Sequence, residues 1–214
     1  MPTPLPEKFA DMVVKDAADI EAAKHLDFVF CAISLDKAQT KALEEAYARA
    51  EIPVVSNNSA HRATPDVPML IPEVNADHVN IIASQRRRLC TKRGFIAVKP
   101  NCSIQSYVPA LTPLLDFGVE QVVACTYQAI SGAGKTFDTW PEMADNVIPF
   151  ISGEEQKSEQ EPLKVWGRIE GDVIVPTEKP VITTQCIRVP VTDGHLAATF
   201  VKFAKKPSIE TIKQ

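Results

Sequence analysis

The chain has 214 residues, of which 45% are hydrophobic, so it is long enough to bury a substantial core. Its 23 Lys and Arg residues against 27 Asp and Glu residues give a net charge of -4, which argues against a general nucleic-acid or membrane surface. The apolar runs are far shorter than a membrane span, and Met1–Leu5 do not begin a charged and then apolar leader. We therefore expect a cytoplasmic protein.

The five cysteines are odd in number and widely spaced, and none forms a C-x-x-C pair. This spacing predicts neither a disulfide framework nor a metal site. Reduced thiols fit the cytosol.

The first third of the chain has the pattern of a strand, a helix and a second strand. The almost continuous apolar run Leu26–Ile33 predicts a strand buried on both faces, and apolar residues then recur at helical spacing from Leu35 to Ala50. A second strand is predicted at Ile52–Ser56. This order implies a parallel sheet with right-handed crossovers, which is typical of a nucleotide-binding half-domain. We therefore expect an α/β fold that begins with a partial Rossmann-like sheet.

The glycines indicate that the dinucleotide site is incomplete. None of the eight glycines precedes Gly94, so residues 1–93 contain no G-x-x-G or G-x-G-x-x-G turn for a pyrophosphate.

The polar segment Ser56–Arg62 follows the second strand and predicts a loop at the carboxyl edge of the sheet, where ligands bind. Arg62 stands out in this loop, because a guanidinium can bind an anion through two hydrogen bonds, but by itself it could equally be a solvated surface arginine. His61 is predicted to lie on the surface.

Cys102 is the candidate nucleophile. It lies between the apolar run Phe95–Val98 and the helical-looking segment Ser103–Leu115, and so at a predicted strand-to-helix turn. Backbone N–H groups at a helix start can stabilise a thiolate and a nearby oxyanion. The alternative is an inert cysteine at a strand end.

The second half of the chain predicts further candidate residues. The segment Val119–Ser131 predicts a strand that ends at Gln128, close to Gly132 and Gly134, which permit tight turning. Glu154 and Lys157 are one turn apart on a predicted helix, a spacing typical of an ordinary surface ion pair.

Residues 172–202 predict a mostly antiparallel sheet of strands and turns. Arg188 lies within one of these apolar strands. A buried arginine needs an anionic partner, which could be a substrate carboxylate or an internal carboxylate.

Four segments together resemble, in order and spacing, the aspartate-semialdehyde dehydrogenase family in its fungal and archaeal form. They are Asn101-Cys102-Ser103, Tyr127–Gly134, Ile187–Val191 and Gly194-His195. The resemblance covers nearly the whole chain. It implies a partial NADP-binding domain at 1–100, without its first βα unit, and a catalytic and dimerisation domain at 101–214, truncated at its C-terminus.

The resemblance also implies a role for each candidate residue. The catalytic residues would be Cys102 as nucleophile, His195 as acid and base, and Gln128 as the group that orients the acyl substrate. Substrate would be bound by Arg188 through the α-carboxylate, by Glu154 through the amine, by Lys157 and Arg62 through the phosphate, and by Asn101 through the oxyanion or phosphate. Ser131, Gly132 and Gly134 would contact the cofactor.

The implied reaction is the NADPH-dependent reductive dephosphorylation of β-aspartyl phosphate to aspartate β-semialdehyde, which serves lysine, threonine, methionine and isoleucine biosynthesis. A homodimer or homotetramer is implied. The family's glycine-rich loop would lie upstream of Met1, so we expect the 214-residue chain by itself to be inactive.

Three alternatives remain open. The chain could be a related acyl reductase, such as malonyl-coenzyme A reductase, or a papain-like cysteine hydrolase. It could also be a non-catalytic fragment or pseudoenzyme that retains the oligomerisation sheet.

Overall fold

The computed structural model describes residues 6–213. The predictions for Met1–Leu5 and for the last residue, Gln214, therefore lie outside the described residues. The strands are β1 (Val29–Cys31), β2 (Val54–Ser56), β3 (Ile96–Val98), β4 (Val119–Gln128), β5 (Arg168–Glu170), β6 (Val173–Val175), β7 (Val181–Arg188) and β8 (His195–Phe203). The α-helices are α1 (Lys37–Arg49), α2 (Pro72–Asn75), α3 (Ile82–Leu89), α4 (Val108–Leu111), α5 (Glu154–Val165) and α6 (Ile209–Lys213).

The first sheet is parallel and has the order β1-β2-β3. Helix α1 connects β1 to β2, as the hydrophobic periodicity predicts. The helix is capped by Asp36, whose carboxylate accepts a hydrogen bond from the backbone nitrogen of Gln39 at 2.8 Å. The predicted βαβ order is confirmed.

The prediction that Leu26–Ile33 form a strand buried on both faces is wrong. Only Val29–Cys31 are in strand conformation, and the side chains of Phe28 and Phe30 are 57% and 62% exposed. Within the described residues β1 is an edge strand that pairs with β2 alone, so its apolar side chains lack neighbours on one side.

The second sheet is mixed and has the order β7-β4-β8. Strand β4 runs parallel to β7 and antiparallel to β8, so the expectation of a mostly antiparallel sheet needs correction. The reason is that α5 lies between β4 and β7 in the chain and packs against β7, which returns the chain to the direction of β4. The α/β fold class itself is confirmed.

One hydrophobic core joins the two sheets. Buried side chains from the first sheet, such as Val54 and Ile96, belong to the same cluster as Val122 and Ile182 of the second sheet. Both sheets therefore contribute to the support of the segments between them, which include the Cys102 turn.

The segment after Cys102 is less regular than predicted. In place of one helix over Ser103–Leu115, it contains a 3-10 turn, the short helix α4 and a second 3-10 turn. Pro109 and Pro113 lack the N–H groups that a continuous helix needs, and the φ of Tyr107, -133°, is far from the helical value. A long helix dipole therefore does not point at Cys102.

Within residues 6–213, no helix combines the length and apolar character needed to cross a membrane. The same residues contain no cluster of three or more His, Cys, Asp or Glu side chains suited to hold a metal ion.

Candidate active site

The strand register of the second sheet brings three candidate residues into one row. Gln128, the last residue of β4, is paired with Arg188 of β7 on one side and with His195 of β8 on the other. All three belong to the inner face of the sheet, where Gln128 and Arg188 are buried and His195 is half-buried.

Cys102 faces a cavity of about 270 Å³ next to this row. The cavity is lined by eight of the predicted site residues, Arg62, Asn101, Cys102, Gln128, Gly132, Glu154, Lys157 and Arg188, together with Asn57, Asn58, Ser59 and Lys99. Residues from both halves of the chain therefore meet at the cysteine.

Gly132 separates Arg188 from His195. A methyl group at this position would lie 2.9 Å from Arg188 Nη1, 2.9 Å from His195 Cε1 and 3.0 Å from His195 Nε2. These distances are shorter than van der Waals contact, so only glycine fits without displacing one of the two side chains. The imidazole ring of His195 therefore lies against a residue that lines the Cys102 cavity.

His195 has two contacts through Nδ1. The backbone nitrogen of Ala129 donates to it at 3.2 Å, and the carbonyl oxygen of Gly194 lies 2.9 Å away. The first contact needs an unprotonated Nδ1 and the second a protonated one, so they suit opposite protonation states. Among the hydrogen bonds of residues 6–213, none joins His195 to Cys102.

Arg188 is buried, and its Nη1 donates to the carbonyl oxygen of Ala129 at 2.7 Å. Burial lowers the pKa of its guanidinium, an effect that the negative charge of Glu154 opposes. A buried cation in this position fits an anionic ligand.

The turn that carries Cys102 is held by its neighbours. Asn101 Oδ1 accepts hydrogen bonds from the backbone nitrogen of Ser103 at 2.8 Å and from its hydroxyl at 2.9 Å. The same hydroxyl lies 2.9 Å from the hydroxyl of Ser158 on α5. The side chain of Asn101 therefore fixes the shape of the turn.

Glu154 links this turn to α5. Its carboxylate accepts from Asn101 Nδ2 at 2.7 Å and from Lys157 Nζ at 2.7 Å. Burial acts to raise the pKa of Glu154, but the hydrogen bonds from Lys157 and Asn101 outweigh it, and the pKa is lowered. The pair predicted from sequence thus exists, and it lines the cavity.

Sequence reasoning missed two further residues of α5. Glu161 accepts a hydrogen bond from Arg62 Nη1 at 3.0 Å and one from the backbone nitrogen of Asn101 at 2.5 Å. Lys164 Nζ donates to the carbonyl oxygens of Arg62, Thr64 and Val67 at 2.7, 2.7 and 2.9 Å. The signal was the spacing of three to four residues from Glu154 through Lys157 to Glu161 and Lys164, which puts these polar groups on one helix face.

Arg62, the predicted phosphate ligand, already makes two hydrogen bonds within the protein. Besides the bond to Glu161, its Nη2 donates to the carbonyl oxygen of Asn57 at 3.2 Å. The neighbouring His61 is fully buried, with Nδ1 3.1 Å from the hydroxyl of Thr64, so the prediction of a surface histidine is wrong. Burial lowers the pKa of His61 and favours its neutral form.

Two of the three predicted cofactor residues lie apart from the cysteine. Gly132 lines the Cys102 cavity, whereas Ser131 and Gly134 do not. Gly134 ends a 3-10 turn with a φ of +67°, a conformation that favours glycine.

Comparison with known proteins identifies the family. Residues 2–82 match the model of the semialdehyde dehydrogenase NAD binding domain, and residues 111–214 match that of the semialdehyde dehydrogenase dimerisation domain. Aspartate-semialdehyde dehydrogenase of Archaeoglobus fulgidus is 41% identical over 208 residues, which cover 96% of this chain and 58% of the relative. The protein of the same name from Aspergillus fumigatus is 37% identical and matches 99% of this chain and 59% of its own length.

This chain belongs to the aspartate-semialdehyde dehydrogenase family.

Solved structures of the aspartate-semialdehyde dehydrogenase family agree with the fold. The enzyme of Candida albicans, determined with NADP, matches with a TM-score of 0.86 at 32% identity over 100% of this chain and 61% of its own. Aspartate semialdehyde dehydrogenase II of Vibrio cholerae, complexed with ASA, matches with a TM-score of 0.67 at 26% identity over 89% of this chain and 59% of its own. The chain therefore spans about three fifths of the length of the relatives it matches.

Proposed function

We propose that this chain contributes the acyl-transfer site of an enzyme that converts β-aspartyl phosphate to aspartate β-semialdehyde by NADPH-dependent reductive dephosphorylation. The pathways served would be lysine, threonine, methionine and isoleucine biosynthesis. The observation that carries the proposal is the cavity in which the Cys102 thiol faces Gln128, Arg188 and the Glu154–Lys157 pair. A substrate with an amine, a carboxylate and a phosphate has a complementary partner for each group there.

In the proposed step, the Cys102 thiolate attacks the β-acyl carbon of β-aspartyl phosphate. A carbon–sulfur bond forms, the carbon–oxygen bond to phosphate breaks, and inorganic phosphate leaves with the bonding electrons. Gln128 would orient the acyl group and Asn101 would support the oxyanion or phosphate. His195, whose ring lies against Gly132, would accept and return the thiol proton.

The buried Arg188 would bind the α-carboxylate, because a guanidinium matches a carboxylate through two hydrogen bonds. Glu154 would accept from the substrate amine, and Lys157 and Arg62 would bind the phosphate. Since each of these three already has an internal partner, substrate would have to replace or share those contacts.

NADP is the proposed cofactor, but the described residues do not form a complete site for it. No glycine turn occurs in residues 1–93, and the N-terminus of α1 is occupied by the Asp36 carboxylate, which would repel a pyrophosphate. When bound, the nicotinamide would supply the hydride that reduces the acyl group. Ser131, Gly132 and Gly134 remain proposed contacts on the cofactor side.

We further propose that the outer face of the second sheet forms a subunit interface of a homodimer or homotetramer. Its apolar side chains are 52–76% exposed at Val123, Val181, Leu196 and Phe200. Exposed apolar side chains on a sheet face favour a protein partner, and residues 111–214 match a dimerisation domain. Sedimentation of Phe200→Lys should give a smaller assembly than the wild type.

We retain the domain boundary near residue 100, the cytoplasmic location and the absence of nucleic-acid and membrane partners as predictions.

A second candidate function is a non-catalytic fragment or pseudoenzyme that retains this sheet. The observation that favours it is the incomplete pyrophosphate site in residues 1–93. It differs from the enzyme reading in predicting no acyl transfer to Cys102.

The experiment that tests the proposal follows nicotinamide absorbance with aspartate β-semialdehyde, NADP and phosphate, for the wild type and Cys102→Ser. Phosphate-dependent turnover that Cys102→Ser abolishes supports the proposal. Where NADP does not bind, no turnover is expected, and acylation of Cys102 by β-aspartyl phosphate decides in its place. Turnover with malonyl-coenzyme A, or ester hydrolysis without any nicotinamide change, would support the acyl reductase or the hydrolase reading. If no turnover is seen, titration of NADP binding to the same samples shows whether the cause is failure to bind NADP or failure of the Cys102 thiol to react.

A further inference from the structure

The cavity at Cys102 contains an excess of positive charge. Its lining includes four cationic side chains, Arg62, Lys99, Lys157 and Arg188, and a single carboxylate, Glu154. Lys157 is paired with Glu154, and Arg62 is paired with Glu161, which does not line this cavity. Among the described ion pairs, none involves Lys99 or Arg188.

Lys99 follows the end of β3 and belongs to the same turn as Cys102. Its side chain is half-buried, and its Nζ donates to the carbonyl oxygen of Pro100 at 3.2 Å. Burial lowers the pKa of Lys99, the negative charge of the Cys102 thiolate acts to raise it, and Arg62 acts to lower it. Lys99, Cys102 and Arg62 also line the same cavity.

Arg62, in contrast to Lys99, is paired with a carboxylate. Arg62 donates through Nη1 to Glu161 and through Nη2 to Asn57, so a large part of its positive charge is already compensated. A phosphate dianion beside Arg62 needs a further positive charge, because a neutral ion pair attracts it only weakly. Lys99 is the cation on the cysteine turn that can supply this charge.

We propose that Lys99 is a second cation of the phosphate-binding part of the cavity and acts together with Arg62 on the anionic leaving group beside Cys102. This inference rests on the proposed function, which makes a phosphoryl group the neighbour of the thiol. It assigns Lys99 to binding of the phosphate oxygens, whereas Arg188 binds the carboxylate.

The test compares the alkylation of Cys102 by iodoacetate, which is anionic, with that by iodoacetamide, which is neutral. The reaction is followed on the Cys102 peptide by mass spectrometry in the wild type, Lys99→Met and Lys99→Arg. Both reagents need the thiolate, so the ratio of their rates cancels changes in thiolate content and reports the local positive charge. We expect the ratio to fall about tenfold in Lys99→Met and to recover in Lys99→Arg.

Two controls are available in the chain. Lys205 is exposed and does not line the cavity, so Lys205→Met removes the same charge without changing the cavity. Cys90 is exposed and does not line the cavity, so its ratio should not respond to Lys99→Met. Inorganic phosphate should protect Cys102, and its half-protecting concentration should rise about tenfold in Lys99→Met.

An unchanged ratio, or equal slowing by both reagents, overturns the proposal, since the first means no effect of Lys99 and the second means an effect on the thiolate alone. If wild-type Cys102 does not react while Cys90 does, the proposed function fails at its nucleophile. Calorimetric titration of inorganic phosphate then decides the role of Lys99, because weaker binding to Lys99→Met upholds it and equal binding overturns it.

Discussion

Glu161 holds Arg62 at the edge of the cysteine turn. The Glu161 carboxylate bridges Arg62 Nη1 at 3.0 Å and the backbone nitrogen of Asn101 at 2.5 Å, and the two side chains are only 9% and 12% exposed. Helix α5 thereby connects the loop that carries Arg62 to the turn that carries Cys102.

Removal of this carboxylate should destabilise the fold. We expect Glu161→Ala to lower the free energy of unfolding by about 3 kcal/mol, because it leaves a buried guanidinium without its partner. Glu161→Gln should cost less, since an amide oxygen can still accept a hydrogen bond. Urea unfolding measures both, and the exposed Arg168–Glu170 pair offers a matched control. Glu170→Gln should change the free energy by less than about 1 kcal/mol. If Glu161→Gln and Glu170→Gln lowered the free energy of unfolding equally, the buried bridge would stabilise the fold no more than an exposed ion pair does.

Gly132 should be the glycine at which a methyl group is most harmful to acyl transfer. Gly132→Ala pushes against Arg188 Nη1 and His195 Cε1, both 2.9 Å away, and we expect it to slow acylation of Cys102 about 100-fold through displacement of these groups. Gly134→Ala is the control, because nothing lies within 4 Å of its added methyl group. It should cost about 1 kcal/mol of stability through its positive φ and leave acylation unchanged. Comparable acylation rates for the two variants would mean that the Arg188–Gly132–His195 contact does not matter.

Lys164 should make stability depend on pH. Burial lowers its pKa from 10.5 to about 8, so between these values the unfolded chain binds a proton that the folded chain has lost. Stability from this residue therefore rises with pH across that window, by up to about 1.4 kcal/mol per pH unit, and is constant below it.

The measurement is the free energy of unfolding of the wild type minus that of Lys164→Met, between pH 7 and 10. The variant should be less stable throughout, because three carbonyl oxygens lose their donor. The difference between the two free energies of unfolding should grow above pH 8. Parallel curves for wild type and Lys164→Met would contradict the lowered pKa.

The parts of the fold that local pattern determines were predictable. Alternating apolar residues identify the inner face of β4, and helical periodicity identifies α1. The parallel pairing of β4 with β7 was not predicted, because it depends on where α5 packs after the crossover. Sequence position cannot supply that information for a strand whose partner is about 60 residues away.

The candidate site also contains residues that the sequence predicted and residues that it did not. The family resemblance named Gln128, Arg188 and His195 as candidates, and the strand register brings these three residues into one row. Glu161 and Lys164 were missed because their partners are distant in sequence, and a carboxylate or ammonium on a charged helix is ordinarily solvated. His61 was misjudged for a related reason, since its burial depends on how the loop folds back on α1.

The most direct test of the central claim mixes the 214-residue chain with β-aspartyl phosphate in the absence of nicotinamide cofactor. Acyl transfer needs Cys102 and its cavity but no hydride, so an incomplete NADP site does not prevent it. We predict that one equivalent of inorganic phosphate is released in a burst and that mass spectrometry finds an aspartyl group on the Cys102 peptide. Cys102→Ser should show neither. Phosphate release without acylation of Cys102, or acylation of another cysteine in its place, would contradict the assignment of this cavity as the acyl-transfer site.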